Sequence, residues 1–218
     1  MSKAIDFAKL LMKRNLDSNP NTYDGNMKLQ KLLFFANYIS LIQRGVPLFK
    51  EKIRAFENGC VVEEVRLRYK NDYASLLTDS KEYTPNFSQD EYDIINLTAE
   101  MFGKLSAREL SDINHCFLFW KNAYERSKDA NGYRDKDLCV VSAEEMMFEQ
   151  DKLKSVINEF NENKSERAFS ELINGVTFYY SSDFVMTDEI IDELYKFSKC
   201  AEDTAYSVYI EDGSLVVF

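Results

Sequence analysis

The sequence predicts a mainly α fold that ends in a small α/β appendage. Three observations carry that expectation. Only 7 glycines and 3 prolines punctuate 218 residues, so regular elements must be long and tight turns few. Ser88 with Glu91, Ser106 with Glu109 and Ser142 with Glu145 have the spacing of a capping box, in which each side chain satisfies an open amide at a helix start. After Lys164 the pattern turns to short β-branched and aromatic runs. A hydrophobic fraction of 45%, with 14% aromatics, is enough to build a packed core.

The elements follow in chain order. Ala4, Phe7, Ala8 and Leu11 fall on one helical face, which predicts an amphipathic helix over 3–16 behind a Ser2 cap. Asn19 to Asn26, with Pro20 and Gly25, breaks it. Met27 to Arg44 carries apolar residues around too wide an arc for a surface helix and reads as the central buried one, ended by Gly45 and Pro47. Ile53 to Phe56 reads as a short extended segment, Asn58-Gly59 as a turn, and about Val62 to Leu77 as a helix. The three capped helices come next, with Gly103 at a C-terminal cap between the first two. Val176 to Tyr180 is a strand, Asp188 to Ala201 a helix, and Tyr206 to Phe218 two strands around a turn at Glu211 to Ser214, giving a β-α-β-β appendage. The expected division is 1–140 for the helical part and 141–218 for an acidic extension.

Charge supports the division. The net charge of -10 is concentrated late: residues 1–139 hold 21 Lys+Arg and 20 Asp+Glu, whereas 140–218 hold 6 and 17. An acidic end repels phosphates and suits a basic protein partner, so direct nucleic-acid binding is not expected. Met1 to Leu10 lacks the basic start and apolar run of a signal peptide, and no stretch reaches the length of a membrane span, so a cytoplasmic location is expected. Cys60, Cys116, Cys139 and Cys200 are too scattered for a zinc site and read as reduced thiols.

The sequence offers no catalytic constellation. His115 is the only histidine, so no histidine pair and no zinc-histidine cluster can form, and no phosphate loop, nucleophile elbow or dinucleotide fingerprint is present. No enzyme, metal or cofactor is expected.

The run from Lys28 to Ala36, Lys-Leu-Gln-Lys-Leu-Leu-Phe-Phe-Ala, resembles the KLQKLLYFA signature of the Panacea, or SocA-like antitoxin, domain. Gly45-Val46-Pro47-Leu48-Phe49 and the run Ile53 to Val62 are similar to that family's G-x-P-L-F and I-x-A-W-x-x-G-P-V. Lys104 to Asp112, then His115 and the pair Trp120-Lys121, resemble its K-L-S-x-x-E-L-S, histidine and P-W. Phe56, Cys60 and Phe119 stand where the family has Trp, Pro and Pro. The resemblance spans roughly residues 3 to 125. It implies a compact helical Panacea-like domain and a type II antitoxin that binds and silences a toxin encoded beside it.

Several residues keep two readings. Phe56, Asn58, Gly59 and Val61 shape either a loop that presents an aromatic to a partner or a turn that tucks Phe56 into the core. His115 is either a structural, hydrogen-bonded residue or, with Trp120, part of the partner surface. Leu29, Leu32, Leu33 and Phe35 belong to the core, while Lys28, Gln30 and Lys31 read as solvated or as flanking a partner surface. The leading expectation is a toxin-neutralising protein whose partner has a basic surface. The alternative is an adaptor that delivers a partner to a bacterial AAA+ protease, or a phage-encoded inhibitor whose acidic face imitates nucleic acid.

Overall fold

The computed structural model describes residues 2–165, 169–181, 184–211 and 213–218. The chain divides into two compact units that meet at 154/155, later than the expected boundary near 140. The first unit opens with α1 (Ala4–Lys13) and α2 (Tyr23–Arg44), then the antiparallel strands β1 (Ile53–Phe56) and β2 (Gly59–Val62). α3 (Glu63–Asn71), α4 (Tyr73–Glu82), α5 (Gln89–Phe102), α6 (Ala107–His115) and α7 (Leu118–Arg126) follow. β3 (Val140–Val141) then adds to β1, giving the sheet order β2-β1-β3, before α8 (Ala143–Phe148) and the first residues of α9 (Gln150–Ser165), within which the division falls. The boundary falls late because β3 pairs with Ile53 and Arg54, and because the Tyr38 hydroxyl donates to the Met146 carbonyl at 2.8 Å.

α2 is the axis of this unit. The Thr22 hydroxyl accepts the Gly25 N–H at 3.0 Å, so the helix begins at Tyr23, inside the segment expected to be a break. It ends on Gly45 at φ 69°. From Lys28 to Leu41 every residue is buried. Phe35 stacks on Phe102 with ring centroids 4.3 Å apart, and Phe34 meets Phe117 and Phe119 at 6.5 and 6.0 Å. A helix packed on all sides must also bury its polar residues, which overturns the solvated reading of Lys28, Gln30 and Lys31.

Two further expectations are corrected and a third is met. α1 is capped at Lys3, not Ser2, with the Asp6 carboxylate accepting the Lys3 N–H at 3.1 Å, and it ends at Lys13. The single helix expected over Val62 to Leu77 is two helices, because Asp72 leaves the helical region at φ -148°; its N–H bonds the Arg68 carbonyl and its own carbonyl starts α4 by accepting the Leu76 N–H. Gly103 is the C-terminal cap of α5, but at φ -63°; there a Cβ would press on the Ala99 carbonyl and lie 3.1 Å from Leu16. All three capping boxes are present as read.

The second unit holds β4 (Phe169–Ile173), β5 (Val176–Tyr180), α10 (Asp188–Ser198), β6 (Ala205–Glu211) and β7 (Ser214–Val217) in one sheet of order β4-β5-β6-β7. β5 and β6 are parallel and α10 is their crossover, while both outer pairs are antiparallel. Ile173, Val176, Phe178, Leu194 and Val208 form its core. The expected β-α-β-β thus gains a strand: Asn174 and Gly175, at φ 50° and 84°, turn the chain from β4 into β5. Glu211 pairs with Ser214 across the expected last turn, whose Asp212 lies outside the described residues.

Candidate functional site

In the first unit the β1–β2 hairpin is held in place by side chains from the surrounding helices. β2 is an edge strand, so the groups on its outer side need partners beyond the sheet. The Asn114 Oδ1 accepts the Cys60 N–H at 2.7 Å, the Lys31 ammonium donates to the Cys60 carbonyl at 3.0 Å, and the Gln30 Oε1 accepts the Val62 N–H at 3.0 Å. The turn is gripped in the same way: the Trp120 indole N–H donates to the Phe56 carbonyl at 2.9 Å and the Ser111 hydroxyl to the Asn58 carbonyl at 3.0 Å. His115 bonds the Glu57 backbone and lies against Trp120 with ring centroids 4.0 Å apart. Two residues of α2, three of α6 and one of α7 therefore clamp a hairpin of ten residues, 53–62.

Gly59 is required for this fit. It sits at φ 95°, and a Cβ there would come within 2.5 Å of the Asn114 Oδ1 and 3.0 Å of the Lys31 Cε. The electrostatics of the clamp follow from burial. Lys31 is enclosed and forms no ion pair among the described residues, and loss of hydration lowers its pKa to about 8. Burial likewise pushes the neighbouring Cys60 thiol up to about 12. His115 is held below its ordinary range, first by burial, against the pull of its bond to Glu57, and Lys31 adds repulsion. The Asn114 Nδ2 and His115 Nε2 are buried without a partner among the described residues.

The structure gathers all six residues singled out in the sequence around this hairpin, in different roles. Phe56 is half-buried, neither tucked into the core nor free, with the Arg66 guanidinium over its ring at 5.6 Å. Glu57 at the tip is exposed, Asn58 is half-buried and donates to the Tyr23 hydroxyl at 2.6 Å, and Gly59 and Val61 are buried. His115 and Trp120 are half-buried and support the tip from behind. Ser111 and Asn114 carry no signal in the sequence, whereas Gln30 and Lys31, read there as solvated or as flanking a partner surface, turn inward to the hairpin. For Gln30 and Lys31 the signal was present, because polar residues inside a run that is apolar on every side have nowhere to go but inward.

Beside the hairpin lies a cavity of about 750 Å³ whose walls come from the start of α2, the hairpin, α3, α7 and the segment that follows α7. Lys31, Arg66, Lys70, Arg134 and Lys136 line it against the carboxylates Glu57 and Asp135. Glu63 reaches Arg66 at 2.8 Å and Lys136 at 3.0 Å. Lys70 and Arg134 form no ion pair among the described residues. The Arg134 guanidinium lies 3.3 Å from the centre of the Tyr124 ring, which stacks in turn on Trp120.

Comparison with known proteins bears on this region directly. Residues 29–121 match the model of the family described as "Antitoxin SocA-like, Panacea domain". No curated protein and no solved structure gives a match. The matched segment contains the hairpin and all six residues that clamp it.

Proposed function

We infer, from residues 29–121 being a SocA-like Panacea domain, that the chain is an antitoxin which neutralises a cognate toxin by direct binding and performs no chemistry of its own. The observation that supports this reading is the coincidence of the family segment with a clamped hairpin. A surface loop pinned by six side chains loses little conformational freedom when a partner docks, so its binding energy is not spent on ordering it. Tyr23, Phe56, Glu57 and Asn58 form the exposed or half-exposed tip, with the aromatic and polar mixture typical of interface anchors. The second unit complements it. Residues 155–218 carry 13 Asp+Glu and 4 Lys+Arg, a net -9 that suits a basic toxin.

The test is co-expression with the toxic reading frame encoded beside this gene. The full-length chain restores growth and co-elutes with the toxin on size exclusion, and Trp120→Phe, which removes the N–H that holds the Phe56 carbonyl, weakens the complex. A folded chain that neither binds nor protects refutes the reading.

A further inference from the structure

The cavity beside the hairpin has a chemistry of its own, independent of toxin binding. The whole chain is at -10, yet five cations and only two carboxylates line this space, and counting Glu63 behind Arg66 and Lys136 still leaves an excess of positive charge. Two guanidinium–aromatic pairs, Arg66 with Phe56 and Arg134 with Tyr124, belong to its walls. Flat rings and flat guanidinium groups offer faces on which another flat ring stacks. Lys70, exposed and without an ion pair among the described residues, supplies a cation at the rim, and Lys31, which donates to the Cys60 carbonyl, supplies one at the buried end.

We propose that this cavity binds a small planar aromatic anion of nucleotide size, its ring stacked against the Arg66–Phe56 and Arg134–Tyr124 walls and its anionic group held by Lys70 and Arg134. The volume, about 750 Å³, is within the range of sites for compact ligands and far exceeds what inorganic phosphate fills. An extended peptide is the less favoured occupant. It would be recognised by adding to a sheet edge, and the outward groups of β2 are already taken by Asn114, Lys31 and Gln30.

The experiment is calorimetric titration of the purified full-length chain with nucleoside mono- and diphosphates, the parent nucleosides, inorganic phosphate and a polyglutamate peptide. At least one nucleotide binds, one per chain, with Kd below about 1 mM, and removing its phosphate weakens binding about tenfold or more, the cost of losing a charge-assisted contact. Arg134→Gln and Lys70→Gln each weaken it to a similar degree, and for Lys70→Gln, at an exposed position without an ion pair among the described residues, the circular dichroism melt stays in place. The proposal is overturned if no nucleotide binds below that limit, if inorganic phosphate or the peptide binds as tightly as the best nucleotide, or if neither variant changes the affinity.

Discussion

Replacing Gly59 by Ala tests the clamp at its tightest point. An L-residue at φ 95° is strained by roughly 1–2 kcal/mol. The new Cβ, placed 2.5 Å from the Asn114 Oδ1, drives that side chain off the Cys60 N–H and leaves a buried donor unsatisfied, for roughly 1–3 kcal/mol more. The two costs add to about 2–5 kcal/mol. For a chain of this length each kcal/mol lowers Tm by about 2–4 °C, so the midpoint falls by roughly 4–20 °C. Urea denaturation and thermal melting of the full-length chain, followed by circular dichroism, measure this. Asn114→Ala isolates the second cost: it strands the same donor without straining the backbone, so it destabilises by about 1–3 kcal/mol. Because both changes break one bond, the double variant is less destabilised than the sum of the singles, by about the worth of that bond. A Gly59→Ala protein within about 0.5 kcal/mol of the parent, or a fully additive double variant, refutes the account of the hairpin as an edge strand held by Asn114.

Three further outcomes follow from the same structure. Lys31 releases its proton near pH 8 when folded but near its ordinary 10.5 when unfolded, so the unfolded chain holds more protons between these values and stability rises with pH there. The rise is clearest between pH 8 and 9, since above that the raised Cys60 thiol works in the opposite direction, and Lys31→Met abolishes it in a urea series across that interval. A chain ending at Lys154 keeps the Tm of the first unit, whereas one ending at Cys139 loses β3 and the acceptor of the Tyr38 hydroxyl and melts at lower temperature; equal melting of the two fragments contradicts the boundary at 154/155. Changing the exposed Asp192, Glu193, Glu202 and Asp203 together to their amides slows association with a toxin of the basic kind proposed above and flattens its salt dependence, read by stopped-flow, without shifting the melt.

What the sequence disclosed depended on how far apart the cooperating residues lie. The Ser88–Glu91, Ser106–Glu109 and Ser142–Glu145 caps act over one helical turn, and each is found bonded as its spacing implies. The buried nature of α2 was legible for the same reason, since an apolar arc is a property of one segment. β4 is also legible in principle: Asn174-Gly175 is a strong hairpin signal, although the apolar residues of Phe169-Ser170-Glu171-Leu172-Ile173 before it do not alternate strictly. β2 was not legible. Gly59-Cys60-Val61-Val62 runs straight into α3, and what makes it a strand is pairing with Ile53 to Phe56 on one side and side chains 29 to 54 positions away on the other. That arrangement also explains why the site was read only in part. Phe56, Asn58, Gly59, His115 and Trp120 announced themselves as types that mark turns and interfaces. Ser111 and Asn114 are ordinary polar residues until the fold sets them against the turn and the open edge of the hairpin. An edge strand closed by side chains instead of by another strand is rigid yet offers no backbone for further pairing. On the reading proposed above, a toxin docked on this hairpin would therefore meet its tip and not its backbone edge.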